Sequence, residues 1–243
     1  MNQGKPPKVT VITVLYNSAA TIERTVKSVL EQSYDDIEFI VIDGNSNDGS
    51  VDILNRYRDR ISVLISEPDE GIYEAMNKGI GLATGEWICF MNSNDYFFNS
   101  EVVKDIFSTG HDADIIYGYC MDPDTGKEVK PLNLSEFWKR IPFNHQSAFI
   151  RTKYYKERPY EVKYRISSIY DFLYYWYRAG LKFKYIGMPV AVYDMKGISF
   201  YSYVWLWDYL RISLKYSEGK RIRVLLRFIY LVCVRIYINL VRR

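Results

Sequence analysis

The sequence predicts an α/β fold in which a mainly parallel sheet carries helices on both faces. Three observations support this prediction: short runs typical of buried strands, helical patterns between those runs, and polar loops directly after them. At 243 residues, the chain is long enough for one large α/β domain. With 48% hydrophobic and 25% charged residues, its composition is that of a globular protein with a sizeable core.

Strand and helix patterns alternate through the first half of the chain. Residues 9–15 (VTVITVL) form a nearly continuous β-branched run, typical of a strand buried on both faces. Further strands are predicted at 39–42, 63–65 and 87–91, and helices at 19–30, 51–57 and 71–82. Later strand patterns cover 114–119 and 183–193, and later helical patterns 169–179, 203–216 and 219–243. Strands separated by such helices predict βαβ units and a parallel sheet.

Composition also restricts the compartment and the partners. The net charge of +3 is too small to indicate a nucleic-acid-binding protein. Cys89, Cys120 and Cys233 are odd in number and lack metal-site spacing, so we expect free thiols in a reducing compartment. The first eight residues are polar and show no signal-peptide pattern, which predicts a cytoplasmic location. The 23 tyrosines suit a sugar-facing cleft or a membrane-facing surface, and equally an aromatic core.

Polar residues follow each of the first four predicted strands. The loops read YN after the first strand, DGNSNDG after the second, EPDEG after the third and NSND after the fourth. One such loop is usually turn chemistry, because Asn, Asp and Gly accept positive φ. Ligands of open parallel sheets bind beyond the carboxyl ends of the strands. Four consecutive polar loops at that edge therefore predict a binding site.

The chemistry of these loops narrows the ligand. Neither G-x-G-x-x-G nor G-x-x-x-x-G-K-[ST] occurs, which argues against a dinucleotide fold and a P-loop enzyme. An acidic edge repels a diphosphate unless a divalent cation lies between them. Asp95, directly after a strand, is suited to hold Mg²⁺ or Mn²⁺ beside a leaving diphosphate.

Several sequence motifs resemble those of glycosyltransferase family 2, a family of inverting enzymes with the GT-A fold. They are TVLYN (13–17), VIDGNSNDGS (41–50), SEPDEGIYEAMNKGIGLATGEWICFMNSNDYF (66–97), HQSAF (145–149) and KGIS (196–199). These motifs occur in the family's order between residues 9 and 199, and the long central motif (66–97) is highly specific for the family. Their pattern is similar to that of bacterial enzymes that build cell-surface polysaccharides.

The resemblance implies roles for particular residues. Thr13, Tyr16 and Asn17 would line the nucleotide pocket, and Asp43 would accept a hydrogen bond from the nucleobase. Asn45 would be a further substrate-binding residue, and Asp95 would hold the metal. The segment 67–78 would flank the donor. His145 would lie near the cleft floor and contact the acceptor or the diphosphate; a hydrogen-bonded structural histidine is the alternative. The binding residues implied by this segment and by the neighbouring loops are Glu67, Asp69, Asn77, Lys78 and Asn94.

Two positions depart from the family pattern. Asn94 stands where the family usually has a first aspartate, which predicts weaker metal binding. Ile169 stands where relatives place the aspartate that deprotonates the acceptor in inverting transfer. Asp171 is the nearest substitute for this base, although two residues on a helix turn it about 200° away. Slow catalysis, a base from another segment, and a pseudoenzyme are the alternatives.

The last 43 residues differ in composition from the rest. We expect a GT-A domain over residues 1–200 and a helical membrane-association segment over 201–243. In the last helix an uncharged arc faces away from the basic residues, as in a helix that lies in an anionic inner-membrane surface. Arg227 and Arg235 disfavour a transmembrane span. A helix packed against the domain, or against a second copy in a homodimer, is the alternative. The arc contains Ile222, Leu225, Leu226, Ile229, Tyr230, Cys233, Ile236, Tyr237 and Leu240.

Together these features predict transfer of a sugar from a nucleotide-diphosphate donor to a glycan or lipid-linked saccharide. A sugar nucleotidyltransferase shares the layered sheet, but it needs a Gly-rich basic loop near the N-terminus that residues 10–17 lack. A catalytically impaired partner that binds nucleotide sugar or glycan is the second alternative. Asn94 and Ile169 favour it.

Overall fold

The computed structural model describes residues 6–108, 112–193 and 203–241. Its first four strands are β1 (Val9–Leu15), β2 (Ile37–Asp43), β3 (Val63–Ser66) and β4 (Trp87–Phe90). They pair in parallel in the order β3-β2-β1-β4. Leu15 pairs with Asp43, and Asp43 with Ser66, so three strands end level with one another. The predicted parallel half of the sheet is confirmed.

The second half of the sheet is mixed. Its strands are β5 (Tyr96–Phe97), β6 (Ile115–Met121), β7 (Glu128–Val129), β8 (Ala148–Arg151) and β9 (Phe183–Val192). β8 lies antiparallel between β4 and β6, and β9 runs parallel to β6. β5 and β7 add antiparallel to β9 and β6. The short strands β5, β7 and β8 were not predicted, because two to four residues show too little periodicity.

Helices cover both faces of the sheet. They are α1 (Ile22–Leu30), α2 (Ser50–Asn55), α3 (Ile72–Leu82), α4 (Val102–Phe107), α5 (Thr152–Glu157), α6 (Ser168–Arg178), α7 (Tyr203–Tyr216) and α8 (Arg221–Val241). Successive side chains of β1 point to opposite faces. Ile12 packs in the core that contains buried residues of α3, α5, α6 and α7, and Val11 in the core that contains those of α1, α2 and α4.

Tyrosine builds much of the first of these cores. Tyr155 stacks on Phe172 with ring centroids 4.6 Å apart, and Tyr160 lies edge-on to both rings. Tyr170 stacks on Tyr209, which carries the packing onto α7. Because these rings are buried, the tyrosine content of this part of the chain reflects an aromatic core.

The C-terminal helices differ in burial. Tyr209 and Ile212 of α7 are buried in the core, whereas the apolar arc of α8 is exposed from Ile222 to Tyr237. The side chain of Leu240 and residues 196–199 lie outside the described residues. Within the described ranges, no helix is both long enough and apolar enough to cross a membrane. The division at residue 200 stays a prediction.

Candidate functional site

The loops that follow β1, β2 and β4 are joined into one surface, which we call the strand-end ledge (residues 16–19, 44–49 and 92–95). The backbone N–H of Asn17 donates to Ser46 Oγ at 2.7 Å, and that of Asn47 donates to Asn17 Oδ1 at 3.0 Å. Ser18 Oγ lies 2.9 Å from Ser93 Oγ, which links the first loop to the fourth. The predicted convergence of these loops is therefore observed.

The backbone of the ledge is held in an uncommon conformation. Asn17, Asn45 and Asn94 have φ values of 48°, 65° and 86°. Within the described ranges they are the non-glycine residues with positive φ, and each follows a different strand. Asparagine tolerates this region better than most residues, yet the conformation still costs free energy. Such residues concentrate at functional sites, where the surrounding structure fixes them.

The loop after β3 lies against the ledge at Gly44. A Cβ built on Gly44 would lie 2.7 Å from Asp69 Oδ2 and 3.4 Å from Tyr16 Cδ2. Asp69 Oδ1 accepts from the backbone N–H of Gly71 at 2.9 Å, which orients its carboxylate at the start of α3. Glycine at 44 therefore allows Tyr16 and Asp69 to approach each other.

The predicted nucleotide residues fall into an exposed and a buried group. Tyr16 is 64% exposed, and Asn17 and Asn45 are exposed beside it. Thr13 is buried, and its hydroxyl donates to the Met91 carbonyl at 2.6 Å. Asp43 is buried as well, so Thr13 and Asp43 lie beneath the ledge while the other three residues face outward.

The carboxylate of Asp43 is held by neighbouring serines. It accepts from the hydroxyl and the backbone N–H of Ser46 and from the Ser66 hydroxyl at 2.6 Å. These bonds fix the loop after β2 against the end of β3. A contact between Asp43 and a nucleobase stays a prediction.

Asp95 lies at the end of the fourth loop. It is 5% exposed, and its Oδ2 accepts from Gln146 Nε2 at 3.0 Å. Thr25 Oγ1 donates to its carbonyl at 2.7 Å, which anchors the loop to α1. Arg24 donates to the side-chain and backbone oxygens of Asn94 at 3.1 and 3.2 Å. Side chains of α1 and of residues 145–147 thus fix the position of the NSND loop.

Asp95 and Asn92 supply oxygen atoms of the kind that can bind a divalent cation together with a substrate diphosphate. No group of three His, Cys, Asp or Glu side chains within the described ranges could hold a metal. Mg²⁺ is, however, usually held by one or two carboxylates together with substrate phosphates and water. Asn92 Oδ1, three residues before Asp95, is buried and has no hydrogen-bond partner among the described residues. Oxygen donors are the ligand type that Mg²⁺ and Mn²⁺ prefer.

His145 begins a short 3₁₀ turn (His145–Ser147) that also carries Gln146. Its Nε2 is buried and lacks a hydrogen-bond partner among the described residues. Burial lowers the pKa of His145 to about 4, so its imidazole is neutral at pH 7. A contact of His145 with acceptor or diphosphate stays a prediction.

The segment 67–78 is braced by its own side chains. Lys78 pairs with Glu67 at 3.0 Å and with Glu74 at 3.4 Å, which ties the loop after β3 to α3. Asn77 forms two hydrogen bonds of 2.9 Å with the backbone of Tyr160. Asn77 therefore holds α3 against the chain before α6, and a donor contact by Glu67, Asn77 or Lys78 stays a prediction.

Asp171, the predicted base, is fully buried in an ionic cluster. Its Oδ1 accepts from Lys215 Nζ at 3.1 Å and from the Tyr216 hydroxyl at 3.0 Å. Its Oδ2 accepts from Arg158. These contacts occupy both oxygens and join α6 to the end of α7, so they give Asp171 a structural role. Its role as a base stays a prediction.

Gln146 and Arg24 were not selected from the sequence as site residues. Gln146 lies in the motif HQSAF, and the resemblance of this motif to the family could have identified Gln146 as a site residue. Arg24 lies on a solvent-facing part of α1, where a basic residue is ordinary, and its contact with Asn94 follows only from the fold.

Comparison with known proteins agrees with this geometry. Residues 10–205 match the model of glycosyl transferase family 2. A PGL/p-HBAD biosynthesis glycosyltransferase of Mycobacterium bovis is 26% identical over 200 residues, which cover 79% of this chain and 78% of the relative.

Solved structures show the same fold. TarS of S. aureus (residues 1–349), in complex with UDP, has a TM-score of 0.71 at 18% identity, covering 91% of this chain and 70% of that one. The mannosyltransferase PcManGT from Pyrobaculum calidifontis, in complex with GDP-Man and Mn²⁺, has a TM-score of 0.64 at 18% identity, covering 90% and 65%. The fold is GT-A, and the chain belongs to glycosyl transferase family 2.

Proposed function

We propose that this protein transfers a sugar, with inversion, from a nucleotide-diphosphate donor to a saccharide acceptor in cell-surface polysaccharide biosynthesis. The observation that carries the proposal is the strand-end ledge, where three loops are tied together beside the buried carboxylate of Asp95. Family membership supports the reaction class. TarS with UDP and PcManGT with GDP-Man support a nucleoside-diphosphate donor.

The donor would lie across the ledge. Tyr16, Asn17 and Asn45 present exposed side chains there, and Asp69 of the loop after β3 lies beside Gly44. Asn94 and Asp95 lie at the other end, where the diphosphate would reach the fourth loop. Asp43 and Thr13 hold the strand ends that carry these side chains.

Asp95 would hold Mg²⁺ or Mn²⁺ together with oxygens of the donor diphosphate. When bound, the ion supplies positive charge beside the diphosphate as it leaves. Gln146 donates to Oδ2 of Asp95, so it orients the carboxylate. Asn94 accepts a hydrogen bond from Arg24 and adds no charge of its own to the site.

A lipid-linked acceptor agrees with the exposed face of α8. Leu226, Ile229 and Tyr230 are exposed along this helix, and Arg221 and Arg223 are exposed near its start. An apolar stripe flanked by basic residues suits the surface of an anionic cytoplasmic leaflet. We therefore place the protein at the inner face of the membrane, where it would meet a lipid-linked saccharide.

Vesicle binding tests this membrane placement. Sedimentation with vesicles of phosphatidylglycerol and phosphatidylcholine should pellet the wild type, and Leu226→Glu with Ile229→Glu should stay in the supernatant. The control Val162→Glu changes an exposed apolar residue outside α8 and should pellet like the wild type. The membrane proposal is contradicted if the wild type does not pellet with anionic vesicles, or if it dimerises through α8 instead.

Nucleotide binding tests the donor proposal. We expect UDP or GDP to raise the melting temperature in the presence of Mn²⁺, by preferential binding to the folded state. UDP, GDP, dTDP and CMP are compared, each with Mn²⁺ and with EDTA. No stabilisation by any of the four contradicts the proposal.

A further inference from the structure

Asp208 of α7 is a buried aspartate whose carboxylate has an oxygen without a hydrogen-bond partner among the described residues. The residue is 4% exposed, and the unpartnered oxygen is Oδ2. Burial raises the pKa of Asp208, and the nearby Arg211 partly opposes that rise. A buried carboxylate oxygen without a hydrogen bond costs folding free energy, which distinguishes Asp208 from Asp171, whose oxygens are both bonded. Groups of this kind concentrate at functional sites.

Asp208 lines a basic cleft. The cleft has a volume of about 560 Å³ and is also lined by Lys163, Arg165, Trp207 and Arg211. Among the described residues, the guanidinium groups of Arg165 and Arg211 form no salt bridge, so their charges are available to a ligand. Trp207 is 57% exposed and offers an apolar ring face at the same opening. The lining suits a saccharide that carries a negative charge.

Asp208 lies near Tyr73, a buried residue on the donor side of the protein. Tyr73 lies in the first turn of α3, directly after the loop that carries Asp69. Its hydroxyl donates to the Ile166 carbonyl at 2.6 Å, next to the start of α6. Burial raises the pKa of Tyr73, and the charge of Asp208 adds to that rise. The starts of α3 and α6 and the carboxylate of Asp208 therefore lie close to one phenol hydroxyl.

A general base requires a carboxylate oxygen that is free to accept a proton, and Asp171 has none. Both oxygens of Asp171 already accept hydrogen bonds from Arg158, Lys215 and Tyr216, and the residue is fully buried. An acceptor hydroxyl has no access to it without breaking the cluster. Asp208 has an unpartnered oxygen and lines a cleft.

We propose that Asp208 is the general base of the transfer, and that the cleft around it is the acceptor subsite for a saccharide with a negatively charged group. The inference rests on the proposed transferase function. Arg165 and Arg211 pair with the acid group of the acceptor, and Trp207 packs against its sugar ring. A hydroxyl of the acceptor then donates a hydrogen bond to the carboxylate of Asp208.

The proposed step transfers one proton, forms one bond to the anomeric carbon and breaks another. Asp208 takes the proton of the acceptor hydroxyl while the acceptor oxygen forms a bond to the anomeric carbon. The bond between that carbon and the diphosphate oxygen breaks, and the nucleoside diphosphate leaves with the electron pair. The protonated Asp208 later releases its proton to water through the cleft. Attack opposite the leaving group inverts the anomeric configuration.

The test compares Asp208→Asn and Asp171→Asn in the full chain. Turnover of UDP-GlcNAc and GDP-mannose is measured with methyl glucuronide or methyl glucoside as acceptor, alongside nucleotide affinity and melting temperature. We expect Asp208→Asn to lower kcat about 100-fold or more, because general-base catalysis contributes at least that factor. Its nucleotide affinity should stay unchanged, and its melting temperature should stay equal or rise, since the change removes a buried carboxylate with an unpartnered oxygen.

The two acceptors test the subsite. Methyl glucuronide and methyl glucoside share a ring and differ by one carboxylate. The wild type should prefer the glucuronide. In the double variant Arg165→Ala with Arg211→Ala, the KM for the glucuronide should rise about tenfold, and the KM for the glucoside should change little. Equal use of the two glycosides by the wild type contradicts an anionic subsite.

Three outcomes separate this inference from the proposed function. Turnover by Asp208→Asn within threefold of an active wild type overturns the base assignment and leaves the transferase proposal standing. A lower melting temperature with partial activity assigns Asp208 a structural role and overturns the inference too. A wild type that binds UDP or GDP but turns over neither donor contradicts the transferase proposal itself.

Discussion

Gln146 Nε2 donates a hydrogen bond of 3.0 Å to Oδ2 of Asp95, across the boundary between the β8 side of the sheet and the fourth strand-end loop. The two residues are 51 positions apart in the chain. Both are buried, so this bond sets the direction of the carboxylate that we propose as the metal ligand. Hydrogen-bond partners of a metal ligand orient it and tune metal affinity.

Gln146→Leu should therefore weaken use of the metal. We expect the Mn²⁺ concentration for half-maximal turnover to rise about tenfold, because partners of a metal ligand contribute roughly 10- to 100-fold to affinity. Turnover at saturating Mn²⁺ should recover most of the loss. Gln32→Leu is the control, since Gln32 bonds to Ser28 and Asn99 away from Asp95. An unchanged Mn²⁺ dependence contradicts the orienting role.

Gly44→Ala should weaken nucleotide binding. The new Cβ would lie 2.7 Å from Asp69 Oδ2, so Asp69 has to move off the ledge. We expect about tenfold weaker UDP or GDP binding by calorimetry, which corresponds to roughly 1.4 kcal/mol. Gly81→Ala is the matched control, because nothing lies within 4 Å of its added Cβ. Equal affinities in the two variants contradict the placement of Asp69.

Asp171→Asn should destabilise the protein. Removing the charge leaves Arg158 and Lys215 without their buried partner at the junction of α6 and α7. Breaking a buried ion pair costs about 3 kcal/mol, which urea unfolding at pH 7 would measure. The exposed Asp59→Asn serves as the control. If Asp171→Asn is as stable as the wild type but inactive, the structural role is wrong and the predicted role as base gains support.

Glu38 should contribute stability that acid removes. Burial alone raises its pKa, but hydrogen bonds from Thr10, Thr84 and Lys8 outweigh it and lower the pKa to about 2, from an ordinary value of 4.5. Because the pKa is lower in the folded state, this contribution is present above pH 4.5 and is lost as the pH falls toward 2.

Glu38→Gln measures that contribution. At pH 7 we expect a loss on the order of 3 kcal/mol in the free energy of unfolding, from about 1.4 kcal/mol per pKa unit. The gap between variant and wild type should shrink as the pH falls from 4.5 to 3. The exposed Glu31→Gln should show little gap at any pH. A gap that does not depend on pH contradicts the assignment.

Local patterns were sufficient to predict the parallel half of the sheet. β1, β2 and β4 are buried and rich in apolar residues, and the helices between them have apolar faces that pack on the sheet. β8 has only four residues, and its pairing with β4 and β6 depends on contacts distant in sequence. Residues such as Ala148 and Phe149 gave no periodic signal that distinguishes a strand from a loop.

The site was predictable where the chemistry lies in one loop. The strand-end position of Asp95 and the turn residues around Asn17 and Asn45 are visible in the sequence, and the structure brings their loops together. Asp208 could not be found in this way, because an aspartate inside an aromatic helix looks like part of a solvated face. Its burial and its unpartnered oxygen depend on how α7 packs against the rest of the protein, including α6.

Turnover of nucleotide sugars tests the central claim most directly. Release of UDP from UDP-GlcNAc and of GDP from GDP-mannose is followed for the wild type and Asp95→Ala, with Mn²⁺ and with EDTA. We expect the wild type to turn over at least one donor only with Mn²⁺, and Asp95→Ala to lose nearly all of that activity. Nucleotide binding without turnover of either donor, or equal turnover by Asp95→Ala, would contradict a metal-assisted glycosyltransferase centred on Asp95.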